Sequence, residues 1–436
     1  MIELTLDEIA ELAPGKLLRG EEADRVSGVQ IDSRLVGPGD LFVAVGRGAE
    51  FADDALAAGA ASALIPEDAF GALAALARAV RSRSNAKVVA VTGSTAKTST
   101  KDILGALCTP HARTVVAEGS QNNEIGLPLT LCRIEPDTEI AIVEMGMRGV
   151  GQIAELCEIA RPDIGIITTV GPVHLELLGT IEKVAAAKAE LIEALPPGGT
   201  AVVPAGEPQL EPYLQREDIE IVRFGEGGDV SLAYFAAESG RSRLKVEAFG
   251  RPLTIEFAFS GRHNAVNALA ALAAYHALGL PLKKAQRGAR HVKLSRWRGE
   301  EAPLPGDGIL INDCYNANPL SMTAALEHLA ERAGDHRKVA VLGDMAELGP
   351  GAPAYHREVG AAASRAGVDV LLAVGPLARA YLDGARGVPT TRWAPTVEQG
   401  LAALRQLLQP GDYVLVKGSR AMGLEAIGEA VAVVPA

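Results

Sequence analysis

The chain has 436 residues, of which 48% are hydrophobic and only 4% aromatic, a composition typical of a globular protein with several hydrophobic cores. Its 42 basic and 54 acidic residues give a net charge of −12, which argues against a nucleic-acid or anionic-membrane surface. The four cysteines are scattered without CxxC or zinc-like spacing, so we expect each to be a small buried side chain. The segment MIELTLDEIAELAPG is acidic, and no 18-residue apolar run follows. We therefore expect a cytoplasmic protein without membrane insertion.

The first unit, residues 1–83, is predicted to be a small α/β domain. We expect strands near Gly28–Asp32 and Leu41–Val45, followed by alanine-rich helices. Near the N-terminus, Thr5 and Glu8 have the spacing of a helix capping box. The polar stretch Arg81–Asn85 then predicts a linker to the next unit.

The second unit, residues 84–296, alternates buried strand patterns with helical patterns, which predicts a doubly wound, mostly parallel sheet. The strands are expected at Val88–Thr92, Glu139–Glu144, Asp163–Val170 and Thr200–Val203. Short alternating runs over Val230–Phe259 predict an antiparallel extension, and an alanine- and leucine-rich helix is expected over Asn264–Leu278.

A polar segment, Lys293–Glu301, marks the second boundary. The third unit, residues 297–436, is predicted to be a Rossmann-like α/β domain. Its strands are expected near Ile309–Asn312, Lys338–Leu342, Asp369–Val374 and Tyr413–Val416. No G-x-G-x-x-G opens a helix there, which argues against a dinucleotide site.

A phosphate-binding loop is the most informative motif. In KVVAVTGSTAKTST a buried strand is followed by a short loop with Gly93, and Lys97-Thr98 opens a helix. Backbone N–H groups and the helix dipole would face an anion, Lys97 would add a charge, and Thr98 could ligate Mg²⁺. The match to G-x-x-x-x-G-K-[ST] is imperfect, since Ala96 stands where the second glycine falls. An ordinary strand–turn–helix remains an alternative for this loop taken alone.

Three further residues of the second unit could carry chemistry. Glu144 ends a buried strand and precedes a glycine, so a Mg²⁺ ligand beside the phosphate loop is favoured over a solvated strand end. His174 follows another strand, and Lys188 lies on an alanine-rich helix. On the residues alone, the histidine is structural or exposed and the lysine is solvated.

Side-chain amides form two pairs in the same unit. Asn122-Asn123 could bind a ligand or build a turn. Asn264 and Asn267, three apart on one helical face, could solvate the helix or contact a nucleotide base. In the third unit, polar residues follow two strands, where an open α/β sheet places ligands: Asp313, Tyr315 and Asn316 after one, and Lys417, Ser419 and Arg420 after the other.

These motifs together resemble the ATP-dependent Mur ligases of peptidoglycan synthesis over nearly the whole chain. The resemblance is carried by DSR with PGDLFVAV, TGSTAKTSTKD, QNNEIGLPLTL, EMG, HLE with a downstream AAKAE, GRHNAVNAL, NDCYNANPLSM, VLGDMAELG and VKGSR. YNANP and GDMAELG resemble the family member that adds D-alanyl-D-alanine to UDP-N-acetylmuramoyl-tripeptide (UDP-MurNAc-tripeptide). We find no Asp-Asn-Pro-Arg motif, which the ligase for diaminopimelate typically carries.

The resemblance implies roles for the candidate residues. Thr98 and Glu144 match ligands of an ATP-linked Mg²⁺, while His174 and a carbamylated Lys188 match ligands of a second Mg²⁺. ATP would be bound by the loop Gly93, Ser94, Thr95, Ala96, Lys97, Thr98 and Ser99, by Asn264 and Asn267 at the adenine, and by Arg298 and Asp313 near the ribose and phosphates. The other substrates would contact Ser33 and Arg34 at the uridine end, and Asn122, Asn123, Tyr315, Asn316, Lys417, Ser419 and Arg420 at the peptide end.

The implied reaction is amide formation through an acyl phosphate, with Lys97, Glu144, His174 and Lys188 as the catalytic group of a monomeric enzyme. The alanine at position 96 predicts a loop geometry that does not require a positive φ. Two alternatives stay open at this point. One is another ligase of the same superfamily, such as a folylpolyglutamate synthase, and the other is a catalytically silent nucleotide-binding subunit.

Overall fold

The computed structural model describes residues 1–20, 23–238 and 240–432. Three main sheets follow one another along the chain, with helices on their faces, and a two-stranded sheet accompanies the first. The chain is therefore α/β throughout, with parallel-rich second and third sheets, as predicted.

The first sheet has the order β2-β6-β5-β4, and a short ladder pairs β1 with β3. The capping box is confirmed, because Thr5 accepts from the Glu8 N–H and Glu8 accepts from the Thr5 N–H. The elements are β1 Leu4–Thr5, α1 Leu6–Leu12, β2 Gly15–Arg19, β3 Arg25–Val26, β4 Gly28–Gln30, β5 Asp40–Val43, a 3₁₀ turn Gly46–Phe51, α2 Ala52–Ala57, β6 Ser62–Pro66 and α3 Ala69–Ser82.

The prediction of a linker at Arg81–Asn85 is wrong at its start. Arg81 lies in the last turn of α3, and its guanidinium donates to the carbonyls of Ala160 at 2.9 Å and Arg161 at 3.0 Å. Leu73, Leu76 and Val80 of α3 belong to the same apolar cluster as side chains of the second unit. Arg81 therefore binds the first unit to the second, whereas Arg83 pairs with Glu8 within the first unit.

The second sheet has the order β15-β14-β13-β12-β11-β10-β7-β9-β8, parallel from β8 to β13 and antiparallel from β13 to β15. Its elements are β7 Lys87–Thr92, α4 Lys97–Cys108, β8 Thr114–Val116, α5 Gly126–Leu131, β9 Ile140–Glu144, α6 Gln152–Ala160, β10 Ile164–Ile167, α7 Leu175–Leu178, α8 Ile181–Glu193, β11 Thr200–Pro204, β12 Glu220–Phe224, β13 Val230–Glu238, β14 Arg241–Ala248, β15 Arg251–Phe257, α9 Arg262–Ala277 and α10 Gln286–Ala289, with 3₁₀ turns at Glu211–Tyr213 and Leu282–Lys284.

The third sheet has the order β16-β17-β21-β18-β19-β20, antiparallel only at β16. Its elements are β16 Glu300–Leu304, β17 Gly308–Asn312, α11 Pro319–Ala333, β18 Lys338–Gly343, α12 Ala352–Arg365, β19 Val370–Val374, α13 Tyr381–Gly384, β20 Thr390–Ala394, α14 Val397–Leu407, β21 Tyr413–Lys417 and α15 Glu425–Val431, with 3₁₀ turns at Gly349–Gly351, Ala378–Ala380 and Arg420–Met422.

The predicted strands and the antiparallel extension are confirmed, with ends shifted by one to three residues. Strands such as β10, IGII, and β19, VLLAV, are buried along their whole length because helices cover both faces of a parallel sheet. The four cysteines are buried, as expected. No helix within the described ranges is long and apolar enough to span a bilayer. The exact domain boundaries remain predictions.

Candidate active site

The phosphate loop lies at the carboxyl end of β7, between two neighbouring strand ends. Glu144 at the end of β9 pairs in register with Val91, and Ile167 at the end of β10 pairs with Thr92. The parallel ladders therefore bring the loop, Glu144 and the segment leading to His174 to one edge of the sheet, as the sequence pattern required.

The loop is shaped by close backbone contacts. Thr168 Oγ1 donates to the Thr95 carbonyl at 2.5 Å, and Thr95 N–H donates to Thr169 Oγ1 at 3.1 Å. A Cβ on Gly93 would lie 1.9 Å from Thr168 Oγ1, so only glycine fits there. Lys97 Nζ donates to the Gly93 carbonyl at 2.8 Å, at the start of the same loop.

Ala96 corrects the prediction for this loop. Its φ is +65° and its ψ −1°, in the left-handed region, immediately before α4 begins at Lys97. The glycine of the general phosphate-loop pattern at this position thus has a conformational reason, because a Cβ in this region costs about 1 kcal/mol or more.

Glu144 and Lys97 both lie next to the loop, close enough for the charge of one to affect the other. Glu144 is 1% exposed; Asn122 Nδ2 donates to its Oε1 at 2.8 Å, and its Oε2 is buried without a hydrogen-bond partner in the described chain. Burial lowers the pKa of Lys97, and the charge of Glu144 opposes that shift. An orphaned carboxylate oxygen beside a phosphate loop fits a divalent cation.

Lys188 is buried, which corrects the reading of its alanine-rich helix as solvated. It is 2% exposed and has no hydrogen-bond or ion-pair partner among the described residues. Burial, reinforced by the charge of Lys97, lowers the pKa of Lys188 well below its ordinary value. A neutral buried amine is suited to capture CO₂ as a carbamate, and the resulting oxygens could hold a cation.

His174 connects the second sheet to the third. Its Nδ1 lies 2.5 Å from Oε2 of Glu347, in the turn after β18. Burial lowers the pKa of His174, while Glu347 acts in the opposite direction. No cluster of three or more His, Cys, Asp or Glu side chains occurs in the described part of the chain, so any cation here needs ligands of other kinds as well.

The third unit meets the phosphate loop along one interface. Arg298 Nη2 donates to Thr98 Oγ1 at 2.9 Å, and its guanidinium carbon lies 3.9 Å from the centre of the Tyr315 ring. Tyr315 is also hydrogen-bonded to Ser120. Asn318 Nδ2 donates to the Ser94 carbonyl at 3.3 Å.

Lys417 is engaged within the third unit. Its Nζ contacts Oδ2 of Asp313 at 2.7 Å and the Asn316 carbonyl at 2.9 Å. Ser419 Oγ accepts from the Ala346 N–H at 2.9 Å, and Arg420 pairs with Glu425. The lysine thus shapes the loop after β17 in this structure.

A cleft of about 540 Å³ lies between the second and third sheets. Many of the predicted site residues line it: Gly93, Ser94, Lys97, Asn122, Asn123, His174, Lys188, Tyr315, Asn316, Ser419 and Arg420. A separate groove near Cys157 and Arg161 has similar volume, about 570 Å³, but lies among none of the predicted site residues. We therefore place the chemistry in the first cleft.

Other predicted residues lie outside the cleft lining. Asn264 and Asn267 are both buried on α9, where Asn267 Nδ2 donates to Asn264 Oδ1 at 3.2 Å. Ser33 and Arg34 belong to the first unit, and Arg34 forms an exposed ion pair with Asp32 at 2.6 Å. Asn123, which does line the cleft, also accepts from the Gly126 N–H at 3.0 Å and so builds a turn.

Glu347, Asn318 and Arg148 contact the site or line it and were not assigned a role from the sequence. Two of them lie within motifs that the sequence had marked, GDMAELG and YNANP. The signal was therefore present, but no spacing rule showed which of the polar residues would face the second unit.

Comparisons with known proteins agree with this architecture. Residues 91–275 match the Mur ligase middle domain, and residues 298–420 match the Mur ligase, glutamate ligase domain. Among solved structures, MurF from Acinetobacter baumannii superposes with a TM-score of 0.87 at 27% identity, covering 98% of both chains. MurF from Thermotoga maritima in complex with ADP gives a TM-score of 0.80 at 29% identity, over 92% of this chain and 96% of that one.

Curated relatives are similar over nearly their whole length. The UDP-N-acetylmuramoyl-tripeptide–D-alanyl-D-alanine ligase of Synechocystis is 37% identical, covering 92% of this chain and 91% of the relative. The Escherichia coli ligase of the same name is 33% identical, covering 99% of both chains. The chain belongs to the Mur ligase family, in the branch formed by these D-alanyl-D-alanine ligases.

Proposed function

We propose that the chain joins D-alanyl-D-alanine to UDP-MurNAc-tripeptide with cleavage of ATP to ADP and phosphate, giving UDP-MurNAc-pentapeptide for peptidoglycan. The observation that carries the proposal is the cleft, where the phosphate loop, His174 and Lys188 face residues of YNANP and VKGSR. Glu144 adjoins this cleft through its hydrogen bond from Asn122. The names of the relatives and the ADP of the Thermotoga structure support the same reaction.

The chemical difficulty is the attack of one anion on another. The tripeptide's terminal carboxylate must reach the γ-phosphate, so positioning and charge neutralisation dominate. Lys97, which donates to the Gly93 carbonyl here, would instead donate to the phosphates of ATP. Arg298, which donates to Thr98 Oγ1, would contact the same phosphates. The acyl phosphate then receives the dipeptide amine, and the tetrahedral intermediate expels phosphate.

Mg²⁺ fits the donor set, and we propose two ions. Thr98 with Glu144, and His174 with carbamylated Lys188, would hold them together with ATP oxygens, supported by the orphaned Glu144 oxygen and the unpartnered Lys188. When bound, the cations neutralise charge on the phosphates and the acyl phosphate. Lys188, whose pKa is lowered by burial, would supply the amine that forms the carbamate.

The remaining assignments follow from the family branch. We propose Asn264 and Asn267 at the adenine, Asp313 near the ribose, and Ser33 with Arg34 at the uridine end. Tyr315, Asn316, Ser419 and Arg420 line the cleft where the peptide carboxylate and the dipeptide would meet. One chain supplies the whole cleft, so we propose a monomer, and its use of ATP favours the cytoplasm.

The test is phosphate release from ATP with UDP-MurNAc-tripeptide, in the presence and absence of D-alanyl-D-alanine, with the product identified by mass. Release that requires both substrates and yields the pentapeptide supports the proposal. Release with a folate and glutamate instead would favour the folylpolyglutamate alternative, whose solved relative shares the fold at 19% identity and a TM-score of 0.65. ATP binding without turnover would favour a silent subunit.

A further inference from the structure

Two left-handed residues face each other across the cleft. His174 has φ +53° and precedes α7, while Glu347 has φ +63° in the turn after β18. Non-glycine residues in this region are uncommon and cost free energy, so their persistence at both ends of one contact points to a functional constraint.

Both residues are held by their surroundings. Besides the 2.5 Å contact between His174 Nδ1 and Glu347 Oε2, the Glu176 N–H donates to the Glu347 carbonyl at 3.3 Å. The turn that carries Glu347 is anchored in the third unit, where the Ala346 N–H donates to Ser419 and the Met345 N–H donates to His356. The third unit therefore holds the Glu347 carboxylate against His174.

The contact determines which ring nitrogen is available. A neutral imidazole has one N–H, and a carboxylate can only accept. If Nδ1 donates to Glu347, then Nε2 keeps its lone pair and can bind a cation. Histidines that bind metals commonly donate their other N–H to a carboxylate in this way, and losing that carboxylate typically costs 10–100-fold in metal affinity.

We propose that Glu347 is the positioning residue for His174. By accepting the Nδ1 proton it fixes the tautomer that offers Nε2 to the cleft. Because Glu347 belongs to the third unit, this tautomer is favoured only when that unit is packed against the phosphate loop. The proposal rests on the proposed function in one respect, since the cation is the one expected with ATP.

The test is long-range ¹H–¹⁵N NMR of the histidine rings in the full chain at pH 8, with the His174 signals assigned by their loss in His174→Gln. We expect the Nδ1–H tautomer in the unaltered protein and in Glu347→Gln, which keeps an oxygen acceptor. In Glu347→Ala the Nε2–H form should gain population. Arg148→Gln is the matched control, because it removes the other charged contact of Glu347, at 3.8 Å, without touching the ring.

A second measurement follows Mn²⁺ affinity by electron paramagnetic resonance with a non-hydrolysable ATP analogue. Glu347→Ala should weaken binding 10–100-fold and Arg148→Gln less than 3-fold. An Nε2–H tautomer in the unaltered protein, an unchanged tautomer in Glu347→Ala, or unchanged Mn²⁺ affinity in that variant would overturn the proposal. The NMR needs no substrate, so its result stands whether or not the chain proves to be the ligase.

Discussion

Lys101 and Lys188 are both buried beside the phosphate loop, yet only Lys101 is paired. Its Nζ contacts Oδ1 of Asp102 at 2.7 Å and donates to the carbonyls of Ala117 at 2.6 Å and Gly119 at 2.9 Å. Lys188 has no such partner among the described residues. A charged lysine is stabilised at the first position and disfavoured at the second.

This difference predicts where CO₂ reacts. With ¹³C-labelled bicarbonate, ¹³C NMR should show one side-chain carbamate, because only a neutral amine captures CO₂. The signal should disappear in Lys188→Met and remain in Lys101→Arg, which keeps the paired charge. A carbamate that survives Lys188→Met would assign the modification to another amine and contradict this account of the second cation site.

Replacing Ala96 with glycine should stabilise the chain. Because the left-handed φ of +65° penalises a Cβ, Ala96→Gly is expected to raise the free energy of unfolding by about 1 kcal/mol, measured by urea denaturation. ATP binding should be retained. Ala106→Gly, within helix α4, is the control and should lower stability by about 1 kcal/mol. An equal loss of unfolding free energy in Ala96→Gly and Ala106→Gly would rule out strain at position 96.

The Asp313–Lys417 ion pair should matter for ATP as well as for stability. Lys417 is 3% exposed, so Lys417→Met leaves Asp313 without its partner and should cost about 3–5 kcal/mol of unfolding free energy. It should also raise the KM for ATP, because Asp313 loses its fixed position. Arg337→Met, which breaks the ion pair with Asp412 in the same sheet, is the control.

In that control we expect a loss of stability with an unchanged KM for ATP. The comparison separates local positioning from general destabilisation, because both ion pairs lie at ends of strands in the third sheet. If the two variants change the KM for ATP alike, the Asp313–Lys417 pair has no specific role in ATP binding.

Mild acid should destabilise the interface between α9 and α11. Burial, with the neighbouring His328, lowers the pKa of His263 to about 4, while Asp313 raises it and Lys417 lowers it. The unfolded state therefore binds a proton at a pH where the folded state does not. The unfolding free energy should fall as the pH drops from about 6.5 to 4, by at most about 3 kcal/mol from this residue.

The measurement is urea denaturation at pH 7 and pH 5. His263→Asn should reduce the loss of stability between the two pH values without abolishing it, because burial also lowers the pKa of His328 and His356. An unchanged pH dependence in the variant would show that His263 does not titrate in this way.

Much of the fold was predictable because its strands are short, apolar and bounded by clear turn signals. The positions of Glu144 and Lys417 followed as well, since parallel strands bring their carboxyl ends to one edge. The burial of Lys188 was not visible, because an alanine-rich helix has no strong polar and apolar faces to show which one packs inward.

Contacts between the three units were also not predictable from the sequence. The sequence around Arg81 predicts a polar linker, yet Arg81 donates to the carbonyls of Ala160 and Arg161, some 80 positions away in the chain. Glu347 reaches His174 across 173 positions. Such pairings depend on how complete domains pack, which local periodicity does not encode.

The most direct test of the central claim is the transfer of ¹⁸O from the tripeptide to phosphate. With UDP-MurNAc-tripeptide labelled in its terminal carboxylate, each amide formed through an acyl phosphate should deliver one ¹⁸O atom to the released phosphate, read by mass spectrometry. The account predicts equal amounts of labelled phosphate and pentapeptide. Unlabelled phosphate, or phosphate released without pentapeptide, would contradict it.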